Sequence, residues 1–201
     1  MTMTIMKVIV QGHFLGRMDS AAYREAKRDI WPHILAPYHR LSQKYDVLVL
    51  EGAGSPVELN LKAEDIANMA MARKVSAPVL LVADIDRGGA YASIYGTLQL
   101  LTPEERESVK GIIINRCKGN AAFFVDIKPT MEQLTGLPVL GLMPYIRLEI
   151  EDEDSLIDPS TGVKLAQSRE AMEAQLDRLA DVMEAYLDIA QVLRIIGLEA
   201  V

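Results

Sequence analysis

With a single cysteine, Cys117, the chain cannot form an internal disulfide, and it suits a reducing compartment. Aromatic residues make up only 5% of the chain while half of all residues are hydrophobic. The core must therefore be aliphatic, as in parallel-sheet proteins. No basic tract occurs and the formal net charge is −7, which argues against nucleic acid or an anionic membrane as a partner. No apolar run reaches the roughly 18 residues of a membrane span. None follows a basic start at the N-terminus either, so no signal peptide is expected and the expected location is the cytoplasm. The phosphate-loop pattern Gly-x-x-x-x-Gly-Lys-Ser/Thr is also missing. The stretch from Gly12 to Arg17 imitates it only superficially, because its glycines are too close and the Lys-Ser/Thr pair is lacking. The histidines, His13, His33 and His39, have no carboxylate or thiol at metal-ligand spacing.

What the chain does have is centred on Asp46 to Pro56. Val47 to Leu50 is an unbroken apolar run, which predicts a parallel strand covered on both faces. Glu51 follows at the strand's carboxyl end, the edge where open α/β sheets bind ligands. Gly52 and Gly54 then permit a sharp turn and a close backbone approach. A carboxylate in that place can hold Mg²⁺, and glycine amides can face phosphate oxygens. The plainer alternative is a strand-to-loop turn with a solvated glutamate. A second loop of this kind follows the predicted strand Val79 to Ala83 and contains Asp84, Asp86, Arg87, Gly88 and Gly89. Its functional reading is a shared site beside the first loop, with Arg87 forking onto a carboxylate or phosphate. Alternatively, Asp84 and Asp86 cap the next helix and Arg87 pairs with one of them.

The remaining elements alternate. A strand is expected over Met6 to Gln11. A helix capped by Asp19 should run from Ser20 to Ile30 and break at Trp31-Pro32, with a second from His33 to Lys44. Further helices are expected over Ala63 to Lys74, Ala90 to Leu101 and Ala122 to Thr135, and Thr102-Pro103 marks another helix start. Strands are expected over Lys110 to Ile114 and Val139 to Met143. Asn115, at the end of the former, can read a planar base by paired hydrogen bonds or simply form a turn. Cys117 reads as a small loop residue. The acidic run Glu149 to Asp154 reads as solvated, and Asp158 to Gly162 as turn-rich. A long amphipathic helix is expected from Gln167 to Ile196. Strands separated by helices predict an α/β fold with a parallel, doubly wound sheet. The expected layout is a domain over residues 1–157, a linker over 158–166 and a C-terminal helix over 167–201.

Taken together, Glu51 to Leu61, Asp84 to Gly89, Gly96-Thr97, Lys110 to Arg116 and Glu153 to Leu156 closely resemble the cobyric acid synthase family, glutamine-hydrolysing amidotransferases of cobalamin biosynthesis. The wider relatives are dethiobiotin synthetase and cobyrinate a,c-diamide synthase, on a P-loop NTPase-like α/β sheet. The resemblance covers Val8 to Leu156 as the second part of the synthetase domain, and Ser168 to Asp181 resembles a helix of the family's C-terminal domain. It implies ATP and Mg²⁺ as cofactors and amidation of corrinoid carboxylates as the reaction. It makes Glu51 the metal ligand, and Gly52, Gly54, Asn115, Arg116 and Pro144 nucleotide-binding residues. Ser55, Glu58, Asn60, Asp86, Arg87, Gly88 and Gly89 would face the substrate. The family's phosphate loop and its glutaminase Cys-His-acid set have no counterpart in this sequence. The chain is therefore expected to be inactive alone and to need phosphate-loop and glutaminase chains, with homo-oligomerisation a further possibility. The alternative expectation is a non-catalytic binding or assembly module.

Overall fold

Val10 and His13 flank a two-residue turn in which Gln11 and Gly12 both have positive φ, 50° and 81°. Such a turn matches the right-handed twist of paired strands and closes a tight hairpin. It joins β1 (Met6–Val10) to β2 (His13–Met18) in antiparallel register, with a bulge near Val8. The computed structural model describes residues 5–59, 62, 65–119, 126–148 and 169–198. Two compact units divide the chain, Met1–Ala77 and Pro78–Val201. The hairpin lies in the first, so the opening strand does not join the parallel sheet that the alternation of elements had suggested.

Asp19 caps α1 (Ser20–Ser42) as expected, its carboxylate accepting from the Ala22 amide at 2.9 Å. The expected break at Trp31-Pro32 is absent, and α1 runs through both Pro32 and Pro37. Each proline removes one donor and leaves a carbonyl four residues back without its helical bond. Behind Pro37 that carbonyl belongs to His33, and the Gln11 side chain from the hairpin turn donates to it at 2.8 Å. Lys74, at the end of α2 (Met69–Lys74), stands 5.4 Å over the Trp31 ring. Tertiary partners thus carry the helix past the residues that would break it in isolation.

Val47 to Leu50 forms no strand, which corrects the reading of this run as a buried parallel strand. Val49 is 91% exposed and Leu50 47%. Apolar β-formers make a strand only where a neighbour supplies the ladder hydrogen bonds, and no such pairing reaches this run.

The second unit holds the parallel sheet, in the order β3-β4-β5: β3 (Val79–Asp84), β4 (Val109–Cys117) and β5 (Val139–Pro144). Both pairings are parallel. All three strands start and stop within a few residues of the sequence expectation, because continuous aliphatic runs are an unambiguous strand signal when bounded by Pro, Gly and acids. Ile112, Ile114, Val139 and Leu140 are completely or almost completely buried, together with Ile94 and Leu98 of α3 (Ala90–Leu100) and Met131 of α5 (Ile127–Thr135). Between them, α4 (Pro103–Ser108) opens with a full capping box, in which Thr102 and Glu105 each bond the other's backbone amide. Arg106 of α4 ties the neighbouring chain ends together through the carbonyls of Leu98, at 3.0 Å, and Thr135, at 2.8 Å.

The long C-terminal helix is present as two segments, α6 (Arg169–Tyr186) and α7 (Ile189–Ile195). The interruption has a definite cause. Leu187 leaves the helix to make a β-bridge with Gly141, and the Asp188 amide donates to the Leu140 carbonyl at 2.7 Å. Asp188 then caps α7 through the Gln191 amide. The expected acidic run, the linker over residues 158–166 and Asn60 lie outside the described residues. No helix among the described residues is long and apolar enough to cross a membrane.

Candidate functional site

Candidate residues occur in both units, and each group is described by itself. In the first unit, Glu51 to Ser55 is an exposed loop, with Gly54 in the left-handed region at φ 67°. Its shape is fixed from below by Asn68, whose side-chain amide donates to the carbonyls of Ala53, at 2.8 Å, and Ser55, at 3.4 Å. The Ser55 hydroxyl accepts from the Val57 amide at 3.3 Å, forming a local turn. A Cβ on Gly52 would collide with the Asn68 side-chain oxygen and force Asn68 to shift. Glu51 and Glu58 are exposed at the loop's two sides.

In the second unit, the loops at the carboxyl ends of β3 and β4 meet. Arg116 is the hub. Its backbone takes a left-handed φ of 62°, and its amide donates to the Asn115 side-chain oxygen at 2.8 Å. Asn115 itself is still within β4, and this bond occupies its side-chain oxygen locally. The Arg116 guanidinium donates to Asp84 at 3.1 Å and to Asp86 at 3.3 Å. Lys118 reaches the other oxygen of Asp86 at 2.7 Å. The Lys118 hydrogen bond holds the Asp86 carboxyl below its ordinary value. Partial burial works against that shift, and the Lys118 and Arg116 charges add to it. Both cations also lie over the Tyr145 ring, Lys118 at 4.9 Å and Arg116 at 5.6 Å. Tyr145 is placed by its own amide, which donates to the Cys117 carbonyl at 2.9 Å.

Asp84 caps the short 3-10 turn Ile85–Arg87 through the Asp86 amide. Arg87, 86% exposed in its side chain, stands 4.0 Å from Asp84. Gly88 and Gly89 have φ of 73° and 66°, and Gly89 opens α3 with no side-chain cap. The structure thus brings Asp86, Arg87, Asn115 and Arg116 into one network, with Pro144 at the adjoining end of β5. Lys118 and Tyr145 belong to the same network and were missed by sequence reasoning. Lys118 had a signal, since it lies one residue past the end of β4. Tyr145 had none beyond following Pro144, because only the β4-β5 register brings the two strand ends together.

Beside this network opens a cavity of about 430 Å³, lined by Val82, Ile113 and Met143 of the sheet and by Leu179, Met183 and Leu187 opposite them. Asn115, Arg116, Pro144 and Tyr145 stand at the same cavity. An apolar body with polar groups at one side is the usual form of a small-molecule site. Cys117 is buried close by, and burial pushes its thiol above the ordinary range. Cys117 was expected in a loop, but it is the last residue of β4, and a buried thiol with little thiolate is unreactive. Among the described residues no group of three or more His, Cys, Asp or Glu is arranged to hold a metal. Mg²⁺ is commonly held by one or two carboxylates with waters and substrate phosphates, and the exposed Glu51 fits that manner of binding.

Residues 9–151 match the AAA_26 family model, described as an AAA domain. The chain belongs to that family. It is also similar to the cobyric acid synthases of Salmonella gallinarum, Salmonella heidelberg and Salmonella typhimurium, each 50% identical over 150 residues. Those matches cover 75% of this chain and 30% of each relative. The chain therefore spans about a third of the length of the curated relatives it matches. No solved structure matches. Membership of this dethiobiotin synthetase-like family agrees with the parallel α/β sheet and its P-loop NTPase-like class, and with the resemblance drawn from the sequence motifs.

Proposed function

We propose that this chain is part of the synthetase of a cobyric acid synthase-type amidoligase, which uses ATP and glutamine to convert corrinoid carboxylates to amides. The observation that carries this reading is the 50% identity over 150 residues to proteins named cobyric acid synthase. The geometry supports it. Glu51, on a loop with two glycines, presents a carboxylate suited to Mg²⁺. The cavity beside Asn115, Arg116, Pro144 and Tyr145 offers an apolar body with donors at one side, suited to a base. The substrate-facing candidates are Asp86, Arg87, Gly88 and Gly89 in the second unit and, by family resemblance, Ser55, Glu58 and Asn60 in the first.

ATP would phosphorylate the carboxylate to an acyl phosphate with release of ADP, and ammonia released from glutamine would displace phosphate from it to give the amide. This chain's residues would bind and orient: the glycine loops approach the phosphates with backbone amides, and Arg116 and Lys118 offset negative charge. Phosphoryl transfer also needs a lysine and amides around the β- and γ-phosphates, and the sequence holds no such loop. We therefore expect negligible ATP turnover by the chain alone, and turnover when phosphate-loop and glutaminase chains are added.

The test is calorimetric titration with Mg·ATP, for the native chain and for Glu51→Ala, without and with a phosphate-loop chain. Corrinoid amidation is followed by mass spectrometry. Binding weakened by Glu51→Ala, and amide formation only in the mixture, is the expected result. No binding and no amidation in any mixture would overturn the reading.

One feature favours a second reading, a non-catalytic assembly module. Among the described residues β3 is an end strand of the parallel sheet, with no strand paired to its outer side. A sheet edge without a strand partner invites pairing with another chain. Association measured by size-exclusion mass, together with no nucleotide binding, would support that reading over the first.

A further inference from the structure

Asparagine is among the preferred residues at the first boundary of a helix, because its side-chain oxygen can accept from the exposed amides of the first turn. Asn68 occupies that position at α2, yet its side chain makes no capping bond. Asp65 does the capping instead. One of its oxygens accepts from the amides of Ala67 and Asn68, both at 2.9 Å, and the other accepts from the Ala70 amide at 2.9 Å. The Asn68 side chain is thereby released from its local role. It is turned onto the Glu51 loop, where it donates to the Ala53 and Ser55 carbonyls.

Two donors from one amide group fix the loop at its third and fifth residues. The Asn68 oxygen lies so close to the place of a Cβ on Gly52 that a larger residue there would push Asn68 out of this contact. Among the described residues, no other hydrogen bond is made to the Ala53 carbonyl. We infer that Asn68 is a positioning residue, acting through Ala53, Ser55 and Gly52 to hold the Glu51 loop in its binding conformation, with Asp65 holding Asn68. The inference deepens the proposed function, since it names what sets the geometry of the carboxylate assigned to Mg²⁺.

The test uses the full chain with Asn68→Ala and the nearly isosteric Asn68→Asp, which keeps the shape and loses the donor. Gly52→Ala disturbs the same contact from the loop side and serves if the Asn68 variants fold poorly. Two quantities are read: amide order parameters by NMR relaxation, and Mg·ATP affinity by calorimetry. In the native chain the Gly52, Ala53 and Ser55 amides should be near the rigid value of about 0.85. In the variants they should fall below about 0.6, with β3, β4 and β5 unchanged. Mg·ATP affinity should weaken roughly tenfold, the loss expected for one hydrogen bond. Merely structural damage would lower the melting temperature without loosening this loop selectively.

Order parameters unchanged in all three variants would overturn the role of Asn68. A loosened loop with native affinity, in a chain whose affinity does respond to Glu51→Ala, would overturn it as a positioning residue for binding. No response to Glu51→Ala, or no Mg·ATP binding by the native chain, would instead count against the proposed function, and the loop order parameters would still decide whether Asn68 sets the loop.

Discussion

Arg116, at the end of β4, donates to Asp84, at the end of β3, across a distance of 3.1 Å. The two residues are 32 positions apart in the chain, and the parallel register places Asp84 opposite Asn115, the neighbour of Arg116. This pair closes the carboxyl edge of the sheet where both acid-rich and basic loops emerge. Both side chains are partly exposed, 43% and 29%, so the pair contributes placement more than stability. Exposed pairs of this type are worth about 0–1 kcal/mol.

Asp86 gives a pH signature. Its folded-state carboxyl titrates below the ordinary value of 3.8, chiefly because Lys118 hydrogen-bonds it. A depressed carboxylate adds stability that is fully present above the unfolded value and is lost as pH falls through the folded one. Lys118→Met should therefore move the Asp86 titration upward toward 3.8, read by NMR of the carboxyl carbon. The stability difference between native and variant chains should be largest near neutrality and should vanish below the folded-state value of Asp86. An Asp86 titration unmoved by Lys118→Met would show that the lysine is not the cause.

Cys117 should resist alkylation in the folded chain. Burial raises its thiol above the ordinary value, so little thiolate exists near neutral pH and little of the sulfur is accessible. Iodoacetamide at pH 7 should label it slowly in buffer and readily in denaturant. Rapid labelling of the folded chain would contradict both the burial and the inert role.

Gly141 makes the docking of the C-terminal helices possible. A Cβ there would meet the Tyr186 carbonyl and the Leu187 backbone and side chain. Gly141→Ala should cost about 1–3 kcal/mol, the usual range for forcing extra volume into a packed contact. It should also speed hydrogen exchange at Asp188, whose amide bonds to Leu140. Urea unfolding and exchange at that amide check both. Native-like exchange at Asp188 would mean that α6 and α7 dock without this close approach.

The three sheet strands were legible because long aliphatic runs between proline, glycine and acids fit little else. The Asp19 cap of α1 and the Thr102-Pro103 start of α4 were legible because their bonds are local. What failed depended on partners distant in sequence. The helix through Pro32 and Pro37 survives with Gln11 donating to the carbonyl left behind Pro37. Val47 to Leu50 read as a strand on composition alone and has no partner strand. The C-terminal helix divides where Leu187 pairs with Gly141.

The site divides in the same way. Its chemistry was written in the sequence: an acid and glycines after Leu50, acids, arginine and glycines after Ala83, and Asn-Arg after Ile114. These residue types carry their charge, donors and conformational freedom wherever they are placed. The tertiary structure decided which of them meet. Strand register set Arg116 against Asp84 and Asp86 and brought Lys118 to Asp86, and the pairing of β4 with β5 put Tyr145 beneath both cations. The turn at Asp65 freed Asn68 for the Glu51 loop. Residue identity fixes what a group can do, but hydrogen bonds and ion pairs act over a few ångströms, so only the fold determines which groups do it together.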